Sequence, residues 1–163
     1  CEACETTGVE YHRLLRTESE LPKNSIVFET AAEAAEYLES TAGKILLTTG
    51  AKELPAFKNL DIKRIFPRVL PTLDGIRACE ALDIPHRNII AMQGPFSFAL
   101  NQAMMEQFHI RWLVTKDGGA AGGFDEKAAA ASAAGAQLVV IRRPPEQGET
   151  ASEVLKRCKE MIR

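Results

Sequence analysis

Two short stretches hold the residues best suited to grip an anion. Met92 to Ser97, "MQGPFS", follows the apolar run Asn88 to Ala91, and Thr115 to Gly123, "TKDGGAAGG", follows the apolar run Ile110 to Val114. Glycines 94, 118, 119, 122 and 123 let the backbone approach a ligand closely and take positive φ, Thr48, Thr49, Ser97 and Thr115 offer hydroxyl donors, and Lys116 adds a charge. This chemistry suits phosphate and carboxylate groups better than nucleophilic catalysis. Neither loop has the GxxxxGK[ST] order of a Walker lysine loop or the GxGxxG order of a standard dinucleotide fingerprint. A glycine pair after a strand also serves as a plain tight turn, but five strand ends together are harder to account for in that way. These are "TTG" (Thr48 to Gly50), "RVLP" (Arg68 to Pro71), "QGPFS" (Gln93 to Ser97), "TKDGGAAGG" and "RRPP" (Arg142 to Pro145). Asn101, one turn into the helix behind Ser97, either braces the loop or reaches a ligand. Lys127 reads as a solvated helix residue.

Other chemistries find no support. His12, His86 and His109 fall in an extended run, a turn and a helix end, with no spacing that pairs them with a serine or cysteine. Acidic residues gather on helix faces such as Glu33 to Glu39 and form no glycosidase pair. Cys1 and Cys4 make a CxxC pair, but Cys79, Cys158 and the histidines supply no second paired cluster, so the pair reads as one face of a helix and no metal is expected.

The elements that must position these loops follow from periodicity. "CEACETTG" is a helix end closed by Gly8, "VEYHRLLR" (Val9 to Arg16) alternates as a strand would, and "SIVFE" is a short extended run. Thr30 caps a helix over Ala31 to Leu38. "KILLTT" is a buried strand, broken by Gly50. A short helix carrying Pro55 leads to the strand "RIFPRVLP", and Thr72 with Asp74 opens a helix through Cys79 to Leu82. "RNIIAMQ" is the next strand, Ser97 starts a helix over Phe98 to Phe108, and "IRWLVT" is a strand. "FDEKAAAASAAG" is a helix closed by Gly135, "AQLVVIRR" a strand, and "TASEVLKRCKEMI" an amphipathic helix.

Nearly continuous apolar strands alternating with helices indicate an α/β fold: a Rossmann-like parallel sheet of about five strands, from Lys44 onward, with helices on both faces. Ligands of such sheets sit at the carboxyl ends of the strands, where helix N-termini present partly positive amides. A chain of 163 residues with 45% hydrophobic content makes one compact domain, organised as a connecting segment (1–43) and a lobe (44–163). The net charge of −2 gives no global attraction to nucleic acid, so an anion site must be built locally. No apolar window reaches membrane-span length and no leader opens the chain, which points to a cytoplasmic protein without a membrane partner.

"MQGPFSFALNQAM", "LVTKDGGAAGGFDEK" and "AAAASAAGAQLVVIRRP", with "ILLTTGAKELPAF" and "FPRVLP" upstream and "EYHRLLR" before them, closely resemble the C-terminal half of the precorrin-6A reductase family, including its cobalt-precorrin-6A counterparts. The resemblance implies paired Rossmann-like halves and an oxidoreductase of cobalamin biosynthesis. Such an enzyme uses NADPH or NADH to reduce a carbon–carbon double bond of precorrin-6A to give precorrin-6B. It implies a cofactor-binding set of Thr49, Gly50, Gln93, Gly94, Pro95, Phe96, Ser97, Asn101, Thr115, Lys116, Gly119, Gly122 and Gly123. It implies that Arg13, Arg16 and Arg68 meet the carboxylates of a tetrapyrrole substrate, since arginine forks suit carboxylates. Lys116 is the candidate catalytic acid or charge stabiliser, or else a phosphate neutraliser. Two departures stand out. Gly118 replaces the serine of the family's TKxSG pattern, and the family's N-terminal half, with its "DATHPYA"-like segment, is not within these 163 residues. Cys1 to Gly8 accordingly reads as the tail of the helix after that half, whose lobe would be this chain's partner and without which the chain would not turn over. The alternative function is a non-catalytic lobe that binds a nucleotide or another anion.

Overall fold

The computed structural model describes residues 2–15, 20–118, 123–143 and 148–161. In chain order the elements are α1 (Glu2–Thr7), β1 (Ile26–Phe28), α2 (Ala31–Glu39), β2 (Lys44–Leu47), β3 (Ile65–Val69), α3 (Leu73–Glu80), β4 (Ile90–Ala91), α4 (Phe98–Gln107), β5 (Ile110–Lys116), α5 (Phe124–Ala133), β6 (Gln137–Ile141) and α6 (Ala151–Met161). Short 3₁₀ turns cover Ala51–Phe57, Ile62–Arg64 and His86–Asn88. The chain divides into two compact units, one of Cys1–Thr17 with Pro144–Arg163 and one of Glu18–Arg143. The expected boundary between residues 43 and 44 falls inside the second unit, because β1 and α2 are built into its sheet and core.

In the larger unit six strands form one parallel sheet in the order β1-β6-β5-β2-β3-β4. Read from the β4 edge this is the Rossmann order, with the sixth position filled by β1, a strand from earlier in the chain. Five strands do lie from Lys44 onward, and the extended run at Ile26–Phe28 adds the sixth by pairing with β6. The order reverses between β2 and β5, so the crevice at the carboxyl ends of those strands is the switch point where open parallel sheets bind ligands. Successive strand side chains face opposite sides. Ile45 and Leu47 enter the layer under α2, the Ala51–Phe57 turn and α3, whereas Leu46 enters the layer under α4 and α5. Both layers are closed by fully buried side chains, Leu38, Leu54 and Phe57 on one side and Met105, Leu113 and Phe124 on the other.

Helix starts agree with the capping residues. Thr30 and Glu33 form a reciprocal capping box on α2. The Thr72 hydroxyl accepts from Gly75 N at 3.1 Å to start α3, and the Ser97 hydroxyl accepts from Leu100 N at 3.3 Å to start α4. Gly75 is sterically constrained, because a Cβ there would lie 2.4 Å from the Leu70 carbonyl oxygen. Gly75→Ala should therefore force the β3–α3 turn apart and cost roughly 1–3 kcal/mol of stability, read as a lowered midpoint in chemical denaturation. A midpoint equal to the parent's would show that the turn yields.

Two expected strands are shorter than their patterns. "RNIIAMQ" yields only Ile90–Ala91 as strand, since His86–Asn88 forms a 3₁₀ turn and Asn88 uses its side-chain amide on the carbonyls of Lys63 and Ile65. The segment beginning at Val9 belongs to the smaller unit, and among the described residues it is not a strand but makes one isolated parallel bridge, Leu14 with Glu149. Alternation fixes which side chains share a face but does not supply a neighbouring ladder. Ion pairs between its two chain segments make up much of the rest of that unit. His12 Nδ1 meets Glu149 at 2.7 Å, and Arg157 pairs with Glu149 at 2.8 Å and with Glu10 at 3.2 Å. Thr150 starts α6, where its amide and hydroxyl hold the Glu153 carboxyl below the usual range. No helix among the described residues is long and apolar enough to cross a membrane, and no described group of three or more His, Cys, Asp or Glu residues could hold a metal ion.

Candidate functional site

Above the carboxyl ends of β2, β3 and β4 lies a cavity of about 700 Å³. The segment after β2 contributes Thr48 to Lys52; β3 contributes Arg68 and Val69, followed by Leu70 and by Thr72, Asp74 and Gly75 around the start of α3. Met92 and Gly94 to Phe96 follow β4, and Gly123, the N-cap of α5, and Lys127, within α5, come from across the switch point. Its volume lies in the range of small-molecule sites.

The loop "MQGPFS" is organised around an arginine. Arg68, in β3, is only 8% exposed. Its guanidinium lies 3.8 Å from the centroid of the Phe96 ring, a cation–π stack, and its Nη1 donates to Asn101 Oδ1 at 2.7 Å. Asn101, 1% exposed, donates its side-chain amide to the carbonyls of Phe96 (3.2 Å) and Ser97 (2.9 Å). One side chain thus fixes the loop, the helix start and the arginine together. Gly94 is small for the same reason: a Cβ there would sit 3.1 Å from the Phe96 ring that covers Arg68. Burial pulls the Arg68 pKa down to about 10, so it remains a cation at neutral pH.

Lys127 is the second cation. The alanine-rich helix suggested a solvated residue, but Lys127 is 8% exposed and lines the cavity. Its stripe-mates Phe124, Ala128 and Ala131 are buried under α4 and the sheet, and position 127 lies on that same face. Burial, then the charge of Arg68, lowers its pKa from 10.5 to about 8, against a smaller opposing pull from Glu126. Among the described residues no group accepts a hydrogen bond from its ammonium or pairs with it. The Thr49 hydroxyl is buried without a partner, while Thr48 spends its hydroxyl on Val114 O at 2.9 Å. Gly50 follows with φ 87°, a backbone that other residues resist.

The remaining candidates divide clearly. Thr49, Gly50, Gly94, Pro95, Phe96, Gly123 and Arg68 share the cavity wall, so the arginine assigned to substrate and the loops assigned to cofactor occupy one site. Gln93 is exposed beside it, and Ser97 and Asn101 act as cap and brace. Thr115 is fully buried, with its hydroxyl on the Lys116 carbonyl. Lys116 does not line the cavity; its ammonium is held by Glu53 at 2.5 Å. Arg142 pairs with Glu29, and Arg143 donates to Asp117 O, so the β6 end serves its neighbours. Arg13 is an exposed residue of the smaller unit. Arg16, Gly119 and Gly122 lie outside the described residues.

Two buried basic side chains and a buried hydroxyl without a partner thus lie with glycine-bearing turns on one cavity wall. The chain matches the family described as Precorrin-6x reductase CbiJ/CobK over residues 1–159. It is 36% identical over 122 residues to a cobalt-precorrin-6A reductase of Priestia megaterium, covering 72% of this chain and 48% of that protein. A cobalt-precorrin-6A reductase of Salmonella typhimurium is also 36% identical over 122 residues, with coverage of 72% and 46%. The chain spans about half the length of these curated relatives. A solved structure titled CobK precorrin-6A reductase superposes with a TM-score of 0.74 at 20% identity, covering 98% of this chain and 65% of that one, and so shares the fold. The match along nearly all of its length places this chain in the precorrin-6x reductase CbiJ/CobK family.

Proposed function

We propose that the chain forms part of an NAD(P)H-dependent reductase of cobalamin biosynthesis, one that reduces a carbon–carbon double bond of precorrin-6A, or of its cobalt form, to give precorrin-6B. The observation that carries this reading is the pair of buried cations, Arg68 and Lys127, on one cavity at the switch point of a Rossmann-ordered sheet. Both the cofactor's phosphates and the substrate's carboxylates are anions that such a wall would hold.

A bound dihydronicotinamide would supply the hydride. The chain's own work is to hold and align. Thr49, Gly50, Gly94 and Gly123 would bring donors and bare backbone against phosphate, and the Phe96–Arg68–Asn101 stack would keep a cation at a fixed place on the floor. Lys116, the candidate acid, would have to leave Glu53 to act there. Arg13 and Arg16 are proposed to meet further substrate carboxylates, and an N-terminal lobe to complete the site, in the cytoplasm.

The test is to mix the full-length protein with NADPH or NADH and cobalt-precorrin-6A. Loss of dihydronicotinamide absorbance, stoichiometric with a spectral change of the tetrapyrrole, is expected. Dinucleotide binding with no oxidation would instead make this a non-catalytic binding lobe.

A further inference from the structure

Large apolar side chains left in water mean little singly and more when they gather at one place. Among the described residues of the larger unit, five are exposed: Leu70, Leu73, Met92, Phe98 and Leu100. All five follow the carboxyl ends of β3 and β4, within residues 70–73 and 92–100. The strand register brings two of them together. Val69 stands opposite Ala91 and Met92 N donates to Val69 O at 3.0 Å, so Leu70 and Met92 come side by side where the ladder ends. Alternation continues the sheet face of Arg68 and Ile90 outward to these two residues. Both line the cavity that Arg68 lines, and Pro95 joins them from the loop after β4. Leu70 is 57% exposed and Met92 39%, so the mouth of the cavity beside the buried guanidinium is apolar and uncovered.

We infer that Leu70 and Met92 form an apolar shelf that takes the ring face of the tetrapyrrole, and that this shelf sets the preference for a macrocycle over smaller polycarboxylates. The inference rests on the reductase reading, which supplies the macrocycle. A ring with carboxylates on its rim has two kinds of surface, a charged edge and a broad apolar face. With its edge towards Arg68, its face lies over the next residues out on the same side of the sheet, which are Leu70 and Met92. A phosphate or a small carboxylate held at that depth would leave both side chains in water. Leucine and the polarisable methionine thioether suit a flat π-bonded surface without requiring one fixed orientation.

Fluorescence titration of the full-length protein with uroporphyrin, a tetrapyrrole polycarboxylate, tests this. The parent should bind it, and the double variant Leu70→Asn, Met92→Gln should bind it roughly tenfold more weakly or worse. Leu70→Met, which keeps an apolar side chain of similar volume, should bind as the parent does. Because both side chains are exposed, the melting temperature and the oligomeric state of the double variant should match the parent's. A parent that does not bind uroporphyrin, a double variant that binds it as tightly as the parent, or a Leu70→Met protein that loses as much affinity as the double variant would overturn the inference. A double variant that melts several degrees lower, or that dissociates from a dimer, would also overturn it, by showing that another part of the chain or a second copy covers the shelf. The reductase reading fails separately. Weakened uroporphyrin binding in a protein that never oxidises NADPH or NADH leaves the shelf standing and sinks that reading, whereas dinucleotide oxidation by cobalt-precorrin-6A with the same KM in parent and double variant does the reverse.

Discussion

Replacing Asn101 by leucine is expected to destabilise the protein by roughly 3–5 kcal/mol, the range found when a buried charge loses its partner. Leucine fills a similar volume, so the loss is electrostatic and not a cavity. Three bonds disappear at once: the one accepted from Arg68 Nη1 at 2.7 Å and the two donated to the carbonyls of Phe96 and Ser97. Of its side-chain contacts the guanidinium would then keep the face of Phe96 at 3.8 Å, which returns a fraction of the desolvation. Asn101 is 1% exposed, so water cannot replace the lost acceptor without moving α4. Urea denaturation of parent and variant gives the difference directly. The double variant Arg68→Met, Asn101→Leu supplies the control, because removing the cation as well should recover much of the loss. A single variant within about 1 kcal/mol of the parent, the ordinary value of one neutral hydrogen bond, would mean that Asn101 only decorates the loop.

The same residue shows what the sequence could and could not reveal. Asn101 was legible as brace or ligand contact from its place one turn behind Ser97, and the structure makes it a brace. Helix starts at Thr30, Thr72 and Ser97 were legible because a capping side chain acts within three residues. Parallel pairing was legible because strands such as Ile45–Leu47 are apolar on both faces. Features that depend on distant partners were not. "VEYHRLLR" alternates convincingly, yet its described pairing is one bridge to Glu149, far along the chain. The meeting of Arg68 with Phe96 and Asn101 needs β3 and β4 to be neighbours, which no local pattern states. Lys127 was missed for a different reason. The alanine-rich run hides its own buried stripe, since alanine gives little contrast between faces. Phe124, Ala128 and Ala131 define that stripe by spacing, and a lysine at 127 falls inside it, which is the signal that would have found it.

That buried lysine should cost the fold stability, and removing it should return it. In the folded protein its pKa is about 8 against 10.5 when solvated, so the folded state holds the proton more weakly than the unfolded state. Below about pH 8 the lysine is charged in both states and the penalty is fully present. As pH rises from about 8 towards 10.5 the folded state loses its proton first, the unfolded state binds more protons, and stability climbs. At 1.36 kcal/mol per pKa unit the penalty is on the order of 3 kcal/mol. Lys127→Met, which keeps the length and discards the charge, should therefore be more stable than the parent at pH 7 by up to about 3 kcal/mol, and the gap should narrow as the pH approaches 10. Arg68, with its own pKa lowered to about 10, adds a rise at the alkaline end common to both proteins, so the difference between them isolates Lys127. Denaturation at pH 7 and again near pH 10 measures both gaps. A methionine variant less stable than the parent at pH 7 would show that the lysine is satisfied within the fold. The expected gain is the pattern of a residue retained at the expense of stability.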